Sequence, residues 1–234
     1  MPLFLKKRNE TLVEWMDRED CDSHLLFNTY QQFSSINRLI SGWKKIYRNH
    51  IRPVIESNNG EATILDIGCG GGDILFKLHQ WCRLDGFDVQ LTGIDPDTRS
   101  FAFLTELQWP NEVTFRQVNS NTLLNEKKEF DIVISNHLMH HLNEPELRGL
   151  CSEAEQLAKK LVLFSDIERS DTGYILFSLA APVLFSNSYI VPDGKISIKK
   201  SYRKWELQSL VPKSWKVARQ FPFRLLAIHR KNKV

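Results

Sequence analysis

Hydrophobic positions along the chain change their period twice. From Asp22 to about His50 they recur at helical spacing, as Leu26, Tyr30, Phe33, Ile36, Ile40, Trp43 and Tyr47, which is the stripe one buried helix face needs. Asp22 or Ser23 can cap the start, Pro53 limits the end, and Gly42 weakens the middle enough to make two helices. Asn58, Asn59 and Gly60 form a turn. Beyond it, apolar runs of strand length alternate with helical patterns. Strands are expected at 63–68, 89–95, 113–118, 130–136 and 160–167, and helices at 73–82, 98–108 and 145–159. That alternation predicts parallel βαβ units in a sheet covered on both faces.

The last part of the chain departs from this rule. A helix at 201–210 is followed by strands at 215–221 and 223–230, separated by Pro222 alone. A parallel crossover needs a dozen residues or more, so the last strand is expected to run antiparallel to its neighbour. Between the fifth strand and this unit lies 168–195, apolar through its centre and interrupted by Pro182. It is shorter than a membrane span in its apolar part. It reads either as a core helix or as a lid over a greasy ligand. With the N-terminal helices, such a lid sits above the carboxyl ends of the strands, where open α/β sheets bind ligands.

Composition narrows the class. The chain is 42% hydrophobic and 25% charged, which fits a globular protein and not a disordered or fibrous one. The opening MPLFL is too short for a signal peptide and is followed at once by charge. Cys21, Cys69, Cys82 and Cys151 form no CxxC pair, so the expected setting is the reducing cytoplasm, without disulfides or structural zinc. The net charge of +3 is uneven, because twelve Lys and Arg from Lys195 onward face one acid, Glu206. This reads as a solvated face and basic tail, or as attraction for phosphate such as RNA. No aromatic-basic motif accompanies it, so nucleic acid is not the expected partner.

The chemistry concentrates in ATILDIGCGGGDI (62–74). Glycines at a first strand-to-helix turn let the backbone approach a ligand at the helix N-terminus. A dinucleotide fingerprint needs a third small residue where Asp73 stands, and an acid there repels a pyrophosphate. Asp66, on the strand just before the turn, suits a cationic group instead. LDIGCGGG followed by Asp73 resembles motif I of class I S-adenosylmethionine-dependent methyltransferases. GIDPD (93–97), FRQVNS (115–120) and FDIVISNHLMHHL (130–142) resemble the next three motifs and arrive in order. A looser resemblance, carried by EWMDREDCD, YQQF, INRLISGW and ERSDTGY, is to bacterial methyltransferases of polyketide or quinone-like compounds.

The resemblance implies a Rossmann-like, doubly wound α/β fold, with a seven-stranded, mostly parallel sheet and an antiparallel last strand. It divides the chain into a helical cap (1–57) and a methyltransferase domain (58–234) carrying a lid insertion at about 168–195. The implied cofactor is S-adenosylmethionine, released as S-adenosylhomocysteine. Asp66, Gly68, Cys69 and Gly70 are expected along its methionine part, Asp95 on the ribose hydroxyls and Pro96 on the adenine. Asn119 is expected at the adenine amino group with Ser120 beside it, Asn136 near the methionine, and Arg38 at the cofactor carboxylate. Tyr30, Phe33 and His137 are the expected substrate side.

Imidazole titrates near neutral pH, so His140 and His141 are candidate bases, with Asp166 to orient them. Each is equally readable as an ordinary core or surface residue. The spacing of His137, His140 and His141 also suits a metal, but no carboxylate or cysteine pattern lies nearby in sequence and none is expected. The expected function is methylation of an oxygen or carbon on a small hydrophobic molecule. The alternatives are an RNA methyltransferase using the basic stretch and a non-catalytic binding module. Oligomeric state is not legible.

Overall fold

Asp22 accepts a hydrogen bond from the Leu25 amide and so starts helix α1 (Ser23–Ile40). The computed structural model describes residues 3–231; Lys233 of the basic tail lies outside them. Gly42, with φ +68°, turns the chain after α1. The helical path then resumes as α2 (Trp43–Ile46), a π turn (Tyr47–Ile51) and α3 (Arg52–Glu56). Gly42 therefore divides the stretch as expected, but Pro53 does not end it. Pro53 lies at the start of α3, directly after the π turn, and the helical path runs on through it to Glu56. The residues before α1 are not helical as a cap would be. Residues 3–22 form an extended strap with one 3-10 turn, Trp15–Asp17.

Seven strands follow: β1 (Glu61–Ile67), β2 (Asp88–Ile94), β3 (Val113–Arg116), β4 (Phe130–Asn136), β5 (Ala158–Ile167), β6 (Lys216–Gln220) and β7 (Arg224–Arg230). Their order is β3-β2-β1-β4-β5-β7-β6. β1 to β5 pair in parallel, and β7 runs antiparallel to both β5 and β6. The short Pro222 connection thus has the predicted consequence. Helices α4 (Asp73–Leu84), α5 (Thr98–Thr105), α6 (Ser120–Asn125) and α7 (Glu144–Leu157) make the crossovers. The chain is completed by α8 (Asp171–Leu184), α9 (Ile190–Lys200) and α10 (Lys204–Leu210).

The sheet is buried on both faces because its central strands are apolar on both sides. Ala62 and Ile64 of β1 join the core of α4, with Leu75 and Leu78. Leu65 and Ile67, one residue out of phase, join the core of α7, with Leu147 and Cys151. Asp66 has the phase of Ile64 and so lies on the α4 side. Pro182 sits in the last turn of α8, two residues from its end. The basic stretch is not one solvated face. Lys200 and Arg224 are buried, and Arg219 is paired with Glu168 at 2.7 Å.

Leu65 is fully buried in the middle of the sheet, so Leu65→Ala should cost about 2–5 kcal/mol of stability through lost burial and a cavity. Urea denaturation measures this as a lower midpoint with an unchanged slope.

Candidate active site

In a parallel sheet every strand ends at the same edge, and the polar side chains of this protein collect there. A cavity of about 640 Å³ opens above the ends of β1, β2, β4 and β5, between α1, α8, α9 and the strap. Asp66, Asp73 and Asp95 line one part of it. The glycine turn between β1 and α4 forms the adjoining floor. Gly70 (φ +50°) needs its missing side chain for conformation, since a Cβ there meets nothing closer than Tyr30 Cε1 at 4.0 Å. Its amide donates to Asp95 Oδ2 at 2.9 Å, and the Asp97 amide donates to Asp95 Oδ1 at 2.9 Å.

Asp66 is almost wholly buried, and its Oδ1 has no hydrogen-bond partner. Burial, and then the charges of Asp73 and Asp95, push its carboxyl well above the usual range. Burial also raises Asp73 and Asp95, against the opposing charge of Lys77 on Asp73 and the amides on Asp95. A buried carboxylate without a partner is costly. An ammonium or sulfonium cation placed against it supplies the missing partner. These residues therefore fit the cationic methionine end of S-adenosylmethionine, with Gly70 leaving room beside it.

The opposite part of the cavity holds a set of buried charges. His140, on a 3-10 turn after β4 (Met139–His141), donates from Nδ1 to Asp166 Oδ1 at 2.8 Å and from Nε2 to Glu14 Oε1 at 3.1 Å. Its amide donates to Asp166 Oδ2 at 2.8 Å. Burial lowers the imidazole pKa, but the two carboxylates outweigh it and push it up to about 9. Burial likewise raises Asp166, and the His140 charge outweighs it and holds the carboxyl well below its usual range. Glu14 also accepts from Ser197 Oγ at 2.8 Å. Beside it, Asp193 of α9 accepts the Trp15 amide at 2.7 Å and the Met16 amide at 3.0 Å, fastening the strap. Burial nevertheless raises Asp193 to about 6.

Residues 64–160 match the family model for a methyltransferase domain. A ubiquinone biosynthesis O-methyltransferase of Colwellia psychrerythraea is 29% identical over 160 residues, covering 65% of this chain and 61% of that protein. One of Pseudomonas paraeruginosa is 25% identical over 200 residues, covering 82% and 73%. The chain thus spans about three-fifths of the length of the first of these relatives. Among solved structures, a plantazolicin methyltransferase bound to S-adenosylhomocysteine superposes with TM-score 0.63 at 15% identity, over 90% of this chain and 95% of that one. Human N-acetylserotonin methyltransferase with S-adenosylmethionine gives 0.64 at 10%, over 91% and 57%. The central part of the chain, residues 64–160, is thus similar to methyltransferase domains, and the chain shares its fold with the two solved structures.

Many of the residues expected to act in a methyltransferase do meet at the cavity. Asp66, Gly68, Cys69, Gly70, Asp95, Asn136, Tyr30, Phe33, His137, His140 and His141 all line it. Tyr30 does so while packed on Phe103 and on the glycine turn. Others do not. Arg38 is exposed and lies away from the cavity, because α1 turns its face outward. Pro96 is exposed. Asn119 uses its Oδ1 to cap α6, accepting the Thr122 amide at 3.0 Å, and Ser120 Oγ donates to Glu153.

The Asn136 side chain is taken by Trp43 Nε1 at 3.0 Å and by Arg224 at 2.7 Å. His140 is in place, but it is not a free base, since both ring nitrogens already carry protons shared with carboxylates. Asp166 is bonded to its Nδ1 and to its amide. His140 also joins two groups of metal-type side chains, one with Glu14 and His141 and one with His137 and Asp166. A metal ion on either nitrogen would displace one of those shared protons.

Three residues escaped the sequence reading. Glu14 stands inside the quoted EWMDREDCD run, Asp193 inside the lid segment, and Arg224 inside the basic stretch. Only their positions in space mark them.

A histidine whose folded pKa lies above its unfolded value near 6.5 stabilises the fold fully below that value and loses the contribution as pH rises toward its folded pKa. Thermal stability should therefore fall between roughly pH 6.5 and pH 9 as His140 titrates. Glu14→Gln removes one of the two carboxylates and should move this fall to lower pH. Melting temperature followed across that window checks both.

Proposed function

We propose that the protein transfers a methyl group from S-adenosylmethionine to an oxygen of a small hydrophobic molecule. The observation that carries the reading is the single cavity itself, acidic and bare-backboned at the glycine turn and apolar under the helices. Ile36, Ile40, Phe177, Ala181, Phe185 and Phe223 supply the apolar walls. The names of the O-methyltransferase relatives support an oxygen acceptor of the phenolic or quinone-like class. We place residues 1–57 and the α8–α9 pair as cap and lid over this site, on a domain beginning at about 58.

No helix among the described residues is long and apolar enough to cross a membrane. The four cysteines are unpaired, which supports a reducing compartment, the cytoplasm.

S-adenosylmethionine, when bound, supplies a methyl group on a positively charged sulfur. The remaining work belongs to the chain. Asp66 would hold the ammonium end, and Asp95 would offer its lone pairs to hydroxyl donors. The Gly70 backbone permits close approach. The strap and lid exclude water and hold acceptor and methyl in line, which is the main lever for a displacement of this kind. His141 also lines the cavity, with Nδ1 3.2 Å from Asp17 Oδ2.

Calorimetry with S-adenosylhomocysteine tests the cofactor half. Asp95→Ala should weaken binding by about 1.5–3 kcal/mol, tenfold or more, as for a lost hydrogen bond to a charged group. Because Asp66 is raised in the free protein and stabilised as carboxylate by a cation, affinity should increase with pH through that titration. Asp66→Asn should weaken binding and flatten the profile. Methyl-labelled S-adenosylmethionine incubated with cell extract tests the acceptor. Label in the organic-extractable fraction supports the reading, and label in RNA overturns it in favour of the basic stretch.

A further inference from the structure

Arg224 is the first residue of β7, and the register pairs it with Ile167 at the end of β5. The reversed strand thus delivers its opening side chain to the edge where the parallel strands end. Arg224 is 2% exposed, yet it lines the cavity. Its guanidinium donates to His137 Nε2 at 2.8 Å, to Asn136 Oδ1 at 2.7 Å and to Ser165 Oγ at 2.9 Å. All three acceptors are uncharged, since burial and then the Arg224 charge hold His137 well below its usual pKa. The Nε–H is buried without a partner.

The acid acting on Arg224 is Asp166, whose Oδ1 is bonded to His140 and not to the guanidinium. Glu168, also at the cavity, is paired with Arg219. Burial lowers Arg224 to about 10, which leaves it charged at neutral pH. A buried arginine normally has a carboxylate or phosphate against its fork. Here the fork is bonded only to uncharged acceptors, and Arg224 lines the cavity.

We propose that Arg224, held by His137, Asn136 and Ser165, is the subsite for an acceptor oxygen bound as an anion, a phenolate or enolate. This rests on the methyltransferase reading above and deepens it. The acceptor hydroxyl gives its proton to water on entering, because the arginine stabilises the oxyanion in a low-dielectric site. The oxygen would then bond to the methyl carbon as the methyl–sulfur bond of S-adenosylmethionine breaks and its electron pair passes to sulfur, leaving S-adenosylhomocysteine and an ether with no charge for Arg224 to hold. The substrate is recognised as an anion and the product is released as a neutral molecule. Arg224 therefore does by charge what a histidine base would do by proton transfer, and the occupied nitrogens of His140 cease to be an obstacle.

The test uses 4-nitrophenol, whose phenolate absorbs separately from its phenol. The protein is first saturated with S-adenosylhomocysteine, and binding of that ligand is recorded. Absorbance across pH then gives the ionisation of bound nitrophenol. The expected result is an apparent pKa at least one unit below that in water, equivalent to a tenfold preference for the anion. 4-Nitroanisole, which cannot ionise, should bind at least tenfold more weakly.

Arg224→Gln should abolish the shift while S-adenosylhomocysteine still binds, and Arg224→Lys should restore part of it. Should the glutamine variant not fold, the comparison of nitrophenol with nitroanisole on the native protein decides alone. Unshifted ionisation, or equal binding of the anisole, overturns the proposal and leaves the methyltransferase reading standing. Preference for 4-nitrobenzoate over nitrophenolate overturns the phenolate assignment in favour of a carboxylate acceptor. Failure to bind S-adenosylhomocysteine sinks the underlying reading and this proposal with it.

Discussion

Everything at the site depends on one constraint of parallel pairing, that strands running the same way finish at the same edge. β1 contributes Asp66 there, β4 contributes Asn136, and β5 contributes Asp166. Asp95 follows directly on β2. Backbone amides beyond the strand ends are unpaired by the sheet, so turns and helix starts must satisfy them. The glycine turn does this partly through Asp95, which accepts the Gly70 and Asp97 amides. β7 runs the other way, so its first residue arrives where the others place their last. One reversed strand thereby puts a cation at an edge otherwise supplied with acids.

The buried charges hold one another in place. Taking Asp166, His140, Glu14 and Arg224 out of water is expensive, and their mutual attraction offsets that only where the geometry is close and the remaining polar atoms are bonded. His140 meets both conditions, with two carboxylates on its ring and a backbone amide bonded to the first of them. Arg224 meets them only in part, because its bonds are to neutral acceptors and one N–H is orphaned. The same contrast separates Asp73, which has Lys77 at 3.1 Å, from Asp66, whose Oδ1 has no partner. Asp66 and Arg224, each left short of a partner, both line the cavity.

Much of the fold was legible because it is written in local periodicity. Strand-length apolar runs between helical ones can only cross over in parallel, and a one-residue gap at Pro222 can only fold back. What escaped was either too short to show a period or dependent on contacts across the chain. α6 is six residues long, below what a helical pattern can reveal. The capping role of Asn119, which accepts the Thr122 amide, is hidden with it. Pro53 looked like a stop because the π turn that precedes it has no sequence signature.

The glycine turn and Asp66 were recognisable as a motif, since their neighbours are fixed by the chain itself. Glu14 and Arg224 were not, since their partners come from elements far away in sequence. His140 shows the same limit from the other side: its position was foreseen, and its protonation was not, because that depends on Glu14.

The ladder of Glu14, His140 and Asp166 also constrains heredity. Glu14 and His140 stand 126 positions apart, and His140 and Asp166 stand 26 apart. No single one of them can drift alone, because each replacement strands a charge in the interior. A lineage can keep the three together or exchange them together for an uncharged set of matching shape. Distant stretches of the coding sequence are thus tied into one unit of inheritance.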